Sequence, residues 1–329
     1  MTNHSTIYLD CDTGIDDALA IGYLTSRPDV HLAGVGIVSG NIDAAQGAQN
    51  TLDLLSVLGD DHTPVAVGQR DFLTRPYHGG APEVHGTNGI GGVQLPHSAR
   101  AVADLSAAEL LVELAHRHAH ELRVLAIGPL TNLALALQLD PDIATLVKDV
   151  VIMGGAFLAP GNVTAHAEAN IHNDPEAADA VFAAAWDITV VPLDVTTGHR
   201  FEEHHLRQLL DSPSFPARVI GQMMDTYFDF YATVYGRRVA ILHDPLAAAI
   251  LDGESAVTKS FAVPVLVRTD EGERGRTVAD LRTGAGEASG RRAATIVLAV
   301  DAPFAPVLVE RLTTLQLAPA DSVPTIDPS

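Results

Sequence analysis

Ile7-Tyr8-Leu9-Asp10-Cys11-Asp12-Thr13-Gly14-Ile15-Asp16-Asp17-Ala18-Leu19-Ala20-Ile21-Gly22-Tyr23-Leu24 is the stretch on which the fold turns. An apolar run leads into four carboxylates, Asp10, Asp12, Asp16 and Asp17, and an apolar helical pattern leads out. The reading is a buried strand, Ile7 to Asp10, followed by a helix over Asp16 to Ser26. Gly14 permits the tight turn between them. Strand alternation puts Asp10 and Asp12 on one face and Cys11 on the other. First-turn aspartates complement a helix dipole, which accounts for one or two of the acids. It does not account for Asp10 and Asp12 at the end of a buried strand. Like charges packed this closely repel unless a cation sits among them. Hard cations such as Ca²⁺ and Mg²⁺ take oxygen ligands.

The same alternation continues outward. Leu32 to Val38, Pro64 to Val67, Leu122 to Ile127, Val150 to Met153 and Ile188 to Leu193 read as buried strands. Ala44 to Leu58, Ser106 to His120, Leu130 to Leu139 and Pro175 to Ala185 read as helices between them. A helix after Asp244 and strands at Ala262–Val267, Arg276–Asp280 and Ala294–Val300 complete the pattern. The fold class is therefore α/β: an open, mainly parallel, Rossmann-like sheet with helices on both faces. Such sheets bind ligands beyond the carboxyl ends of their strands. No linker or repeat is visible, so residues 1–329 read as one domain. Two excursions interrupt it. One is a Pro-, Gly- and His-rich loop, about 70–103, whose glycines favour a mobile flap. The other is a helical stretch, about 202–235, with Tyr227 and Tyr231 on one face.

Composition excludes several functions. A formal charge of -21, from Asp+Glu 41 against Lys+Arg 20, disfavours nucleic acid and anionic membrane as partners. The single cysteine, Cys11, rules out an intrachain disulfide and reads as a core residue. The N-terminus has no signal-peptide pattern, and no apolar run is long enough to span a bilayer, so a cytoplasmic location is expected.

Three further segments fall at strand ends. Asn41, after Val38-Ser39-Gly40, either caps the next helix or faces the carboxylates. Gly161-Asn162 to Glu168-Ala169-Asn170 offers amide and acid groups suited to a polyhydroxylated ligand, although Asn and Gly are also ordinary turn residues. In His243-Asp244-Pro245, Asp244 fits a helix cap and Pro245 the first turn, while His243 has no comparable structural reason. His116, His118, His204 and His205 read as solvated helix faces.

Together these segments resemble the nucleoside hydrolase family, the inosine-uridine preferring type. The likeness rests on Asp10 to Asp17, Gly40-Asn41, His85-Gly86, Gly128-Pro129-Leu130-Thr131-Asn132 and Val151-Ile152-Met153-Gly154-Gly155. It continues through Asn162 to Asn170, Asn173-Asp174-Pro175-Glu176-Ala177, His243-Asp244-Pro245, Gly275 to Asp280 and Val300-Asp301, so it spans nearly the whole chain. The resemblance implies a Ca²⁺-dependent enzyme that hydrolyses ribonucleosides. It implies Ca²⁺ held by Asp12, Asp17, Asp244 and the main-chain carbonyl of Ile127, with Asp10 outside the clear ligands. It implies ribose contacts from Asp16, Asn41, Met153, Asn162, Glu168 and Asn170. His85 would lie in the flap, Tyr227 and Tyr231 by the base pocket, and His243 would protonate the leaving base. A homodimer or homotetramer is also implied. The chain departs from the family pattern at Thr13, where proline is commoner, and at Ala169, where a large aromatic is usual.

The chemistry of the residues agrees. N-glycosidic cleavage passes through an oxocarbenium-like state, which carboxylates stabilise. Calcium acidifies water weakly, so a carboxylate base is still needed, and Asp12 is the candidate. Two rivals are a Mg²⁺ phosphotransferase using the Asp-x-Asp strand end and a non-catalytic nucleoside or ribose binder. A nearly lysine-free chain offering Asn and Glu disfavours phosphate.

Overall fold

In the computed structural model, which describes residues 4–282, 284, 286 and 289–315, twelve strands fall in three sheets. In chain order they are β1 Ser5–Cys11, β2 Val30–Ile37, β3 Val65–Val67, β4 Arg123–Ala126, β5 Asp149–Met153 and β6 Ile188–Val191. The later ones are β7 Arg200–Glu202, β8 Val239–Ile241, β9 Val257–Val263, β10 Val265–Val267, β11 Thr277–Ala279 and β12 Ala294–Val300. The main sheet has 8 strands in the order β3-β2-β1-β4-β5-β6-β12-β9. All its pairings are parallel except the edge pair β12–β9. The α/β sheet expected from the alternating pattern is thus observed.

The helices are α1 Ile15–Thr25, α2 Ala44–Val57, α3 Pro82–His85, α4 Ala107–Arg117, α5 Thr131–Leu139, α6 Ile143–Leu146 and α7 Ala169–Asn173. They continue as α8 Pro175–Ala183, α9 Leu193–Thr196, α10 Glu203–Leu210, α11 Phe215–Tyr235, α12 Asp244–Asp252 and α13 Ala305–Thr313. Strand alternation sorts the core into two layers. Ile7, Leu9 and Cys11 join one apolar cluster with residues of α1, α2, α11 and α12, whereas Tyr8 joins the other with residues of α4, α5 and α8. Both faces of β1 are buried from Ile7 onward, which is why Ile7-Tyr8-Leu9 is a continuous apolar run.

Chain order reverses between β1 and β4. The chain runs from β1 out to β2 and β3, then crosses back to lay β4 on the other side of β1. The crossover loops diverge there and leave a crevice at the carboxyl end of β1. The pairing persists to the strand's end, with Val38 N donating to Cys11 O at 3.0 Å and Ile127 N donating to Asp10 O at 2.8 Å.

Several expectations are corrected. The strand expected over Ala262–Val267 is two strands in different sheets, Val257–Val263 and Val265–Val267. Pro264 separates them because it has no amide to continue a ladder. The 202–235 stretch is helical as expected, but as two helices, α10 and α11, broken at Ser212-Pro213-Ser214, where Ser214 caps α11. His205 is not solvated: it is buried, and its Nδ1 accepts from Glu202 N at 3.0 Å. The paired strands β7 and β8 and the short helices α6, α7 and α9 have too few residues to show a period in the sequence. In the 70–103 loop, Gly86, Gly89, Gly91 and Gly92 all have positive φ, between 68° and 84°. At Gly91 a Cβ would also lie 2.5 Å from Met223 O. Those glycines make turns, with Gly91 packed on α11 and Gly89 on Ile42 and Asn50.

Gly36 offers a test of the core around β1. A Cβ there would sit 1.9 Å from the Tyr8 hydroxyl, which is bonded to Asp10 Oδ2 and Ala107 O and has nowhere to go. Gly36→Ala should cost about 1–3 kcal/mol by overpacking, read as a lower urea midpoint with unchanged slope. An unchanged midpoint would mean that Tyr8 is not held in place.

Candidate active site

The turn after β1 explains why the acids converge. Gly14, with extended backbone, precedes α1, and Asp17 at the third helical position folds back over the turn. Its carboxylate accepts from Gly14 N at 2.7 Å and from Asp12 N at 3.2 Å. Asp17 therefore does satisfy helix-terminal amides, as a first-turn acid should. A Cβ on Gly14 would meet Asn41 Nδ2 and His85 Nδ1, each at 2.6 Å, so only glycine fits. Thr13 ties the turn to α2 through Thr51, Oγ1 to Oγ1 at 2.7 Å.

Asn41 faces the site. Its amide N donates to Asp12 Oδ2 at 2.6 Å and its Nδ2 donates to Asp17 Oδ2 at 3.2 Å. The cap of α2 is Asp43 instead. Asp244 likewise makes no capping bond, although it opens α12. Its carboxylate converges with those of Asp16 and Asp17, one oxygen of each lying within 4.8 Å of the others. Asp12 lies outside that trio but beside it, sharing Asn41 with Asp17. Asp10 points to the other layer, where its Oδ2 accepts from Tyr8 and from Asn132 Nδ2 at 3.0 and 3.1 Å.

The electrostatics of this corner call for a cation or for protons. Asp12, Asp16, Asp17 and Asp244 are all buried, and Asp12 Oδ1 and Asp16 Oδ1 have no hydrogen-bond partner. Like charges at this spacing repel by about 3 kcal/mol per pair at an effective dielectric near 20. Three such pairs approach the whole stability of a domain, about 5–15 kcal/mol. Left to themselves the groups take up protons instead. Burial, then the Asp17 charge, pushes Asp16 up to about 7. Burial pushes Asp12 and Asp244 well above the usual carboxylate range, with neighbouring carboxylates adding to it. An all-oxygen set with unpartnered lone pairs fits a hard divalent metal.

The remaining residues surround this cluster. Asn170 Nδ2 donates to Ile127 O at 2.9 Å and Met153 O at 3.1 Å, bridging the ends of β4 and β5. Glu168 caps α7, with Oε1 accepting from Asn170 N at 2.9 Å and Oε2 from Gly155 N at 2.9 Å. Asn162 stands apart: it is exposed, and its Oδ1 accepts from Ala169 N at 3.0 Å. Ala169 is half-buried between them.

On the other side, His85 from the 70–103 loop is buried, with Nδ1 accepting from Ile15 N at 3.0 Å and lying 4.0 Å from Asp16. Tyr227 donates to Asp16 Oδ2 at 3.0 Å and packs edge-on against Tyr231, centroids 4.9 Å apart. The Tyr231 hydroxyl lies 2.8 Å from His243 Nε2, and His243 Nδ1 lies 2.8 Å from Thr196 Oγ1. Burial lowers His243 to about 4, so its resting form near neutrality is the neutral imidazole. Thr196 was not picked out from the sequence. Its place just after β6, at a carboxyl strand end, was the available signal.

A profile described as "Inosine-uridine preferring nucleoside hydrolase" matches residues 7–305. The chain belongs to this family. It is 40% identical to uridine nucleosidase 1 of Arabidopsis thaliana over 74% of this chain and 73% of that one. It is 35% identical to the inosine-uridine preferring nucleoside hydrolase of Crithidia fasciculata, over 84% and 88% respectively. In structure it is similar to the purine-preferring ribonucleoside hydrolase from Gardnerella vaginalis, with TM-score 0.88, 31% identity, and coverage of 95% and 99%. The carboxylate corner of this nucleoside hydrolase accords with the metal dependence of the family. Among its described residues, no helix is long and apolar enough to cross a membrane.

Charge repulsion in the corner is open to measurement. In excess chelator, Asp244→Asn should raise the thermal midpoint by a few degrees, because it removes a group that without a cation must either repel its neighbours or take up a proton on folding. Divalent metal should then stabilise the variant less than the parent. A lower midpoint in chelator would show that the parent carboxylates are held by something other than a cation.

Proposed function

We propose that this hydrolase is a Ca²⁺-dependent ribonucleoside N-ribohydrolase that releases ribose and free base. The observation that carries the reading is the convergence of Asp16, Asp17 and Asp244 beside the unpartnered Asp12 oxygen, in a corner that also holds an imidazole. Asp12, Asp17, Asp244 and the carbonyl of Ile127 would hold the ion. When bound, Ca²⁺ supplies charge compensation, a grip on the ribose 2′- and 3′-hydroxyls and a place for a water.

The chain's own residues do the rest. Asp12 takes the proton of the attacking water through Oδ1, the oxygen that no protein group occupies. Asp16, Asn41, Asn170 and the Met153 carbonyl orient the ribose, and Asn162 and Glu168 meet its 5′-hydroxyl. The surrounding carboxylates stabilise the positive charge that develops on the ring. The departing base needs a proton, and His243 delivers it. Because the imidazole is neutral at rest, His243 takes up a proton from solvent as electron density builds on the base, passes it to the base and returns to neutral. Asp12 releases the proton of the water to solvent. The 2.8 Å contact with Tyr231 orients the His243 ring. His85 and Tyr227 close the pocket and exclude water. The same reading carries a homodimer or homotetramer and a cytoplasmic location.

Leaving-group dependence separates these roles. His243→Ala should reduce inosine hydrolysis about 10²- to 10⁴-fold, the usual worth of a general acid, yet barely touch p-nitrophenyl riboside. Tyr231→Phe should fall in the same direction by less. Equal losses on both substrates would remove His243 from the acid role. Asp12→Ala should abolish both reactions. Turnover that survives exhaustive chelation would remove the calcium requirement. A panel of inosine, uridine and a nucleotide distinguishes the proposal from a phosphotransferase or a binder, since only the hydrolase releases free base.

A further inference from the structure

Two sequence segments have no part in the chemistry above: Gly128-Pro129-Leu130-Thr131-Asn132 and Asn173-Asp174-Pro175-Glu176-Ala177. They meet in space. Thr131, Asn132 and Asp174 are each 0% exposed. Thr131 Oγ1 donates to Asp174 Oδ2 at 2.7 Å. The same oxygen accepts from Leu73 N at 2.8 Å, while Asp174 Oδ1 caps α8 through Ala177 N at 3.1 Å. Asn132 works alongside: its Nδ2 donates to Asp10, and its Oδ1 accepts from Gln69 N at 3.0 Å. Gly68 passes so close that a Cβ would lie 2.3 Å from Asn132 Oδ1. Two residues beyond Asp174, Glu176 is gripped by Arg274 through two bonds of 2.7 Å and also accepts from Thr74.

Both amides bound here, Gln69 N and Leu73 N, belong to the root of the 70–103 loop. That loop carries His85 to Asp16 and Tyr227. The partners belong to the frame of the site. Asn132 and Thr131 open α5, directly after Ile127 and its loop, and Asp174 follows α7, which carries Asn170. Asp10 sits two residues before Asp12. A buried carboxylate that accepts three donors is worth more than a surface contact, because losing any one strands a buried polar group.

We propose that Asp174, with Thr131 and Asn132, forms a positioning device that holds the root of the 70–103 loop in register with the carboxyl edge of the sheet. None of the three touches substrate. They act through the loop, so their loss frees the loop's root and weakens substrate capture more than the chemical step. The effect on turnover rests on the ribonucleoside reading above; the effect on the loop does not.

Trypsin reads the loop directly in the full chain. Arg70 lies in the root, 61% exposed, while Arg75 precedes proline and resists cleavage. Arg292, 54% exposed and outside the loop, is the internal reference. Thr131→Val deletes the hydroxyl and keeps the shape. It should speed cleavage after Arg70 by roughly fivefold or more relative to Arg292, and raise KM for the best nucleoside roughly tenfold with kcat within about threefold. Asp174→Asn should move the same readouts the same way. Thr131→Ser, which keeps the donor, should restore parental values. Equal acceleration at Arg70 and Arg292 would reveal plain destabilisation and overturn the proposal. So would a loss confined to kcat, or failure of serine to rescue. If the parent releases base from no nucleoside, the ribonucleoside reading fails and the cleavage ratio alone decides the loop's anchoring.

Discussion

Mutual repulsion among buried carboxylates is the constraint around which this corner of the molecule is built. Asp12, Asp16, Asp17 and Asp244 come from two distant parts of the chain and meet where water cannot screen them. Nothing in their hydrogen bonding neutralises them. Asp17 is served by two backbone amides and by Asn41, yet Asp12 and Asp16 each keep an oxygen without a partner. A fold tolerates this arrangement only if a cation, or a set of protons, shares the space. The stability lost by gathering the charges is offset by the apolar layers on both faces of β1.

The sheet topology decides where that corner lies. With β2 and β4 on either side of β1, chain connections leave in opposite directions and expose the strand's carboxyl end. The same end receives the Ile127 carbonyl from after β4, the Met153 carbonyl from β5 and Thr196 from after β6. One amide, Asn170, spans two of those strands. The acid corner and the imidazole corner are then joined by α11, whose Tyr227 reaches Asp16 and whose Tyr231 reaches His243. A single helix thus sets the distance between the carboxylate cluster and His243.

Much of the candidate site was legible because its residues run against their surroundings. Four acids after an apolar strand, or a histidine before a helix with no structural task, stand out from local rules. Ordinary polar residues with ordinary local uses did not stand out. Thr131, Asn132 and Asp174 look like the start of a helix and a helix cap, and Asp174 is indeed a cap. Their second task, bonding the root of the 70–103 loop, depends on partners about 60 to 100 residues away in sequence.

The sequence by itself determined the α/β class, the parallel core strands and the identity of the acid cluster, because burial on both faces and charge density are local properties of composition and period. It also pointed to the family, through motifs spread over nearly the whole chain. Only the tertiary structure decided which aspartates share a cavity. Asp10 and Asp12 were expected on one face, but the strand ends at Cys11, and the turn beyond it sends Asp12 toward Asn41 while Asp10 stays with Tyr8 and Asn132. Likewise, Asn41 and Asp244 were possible helix caps until packing turned both toward the carboxylate corner. Side-chain direction beyond a strand end follows from long-range contacts, and no local period encodes those.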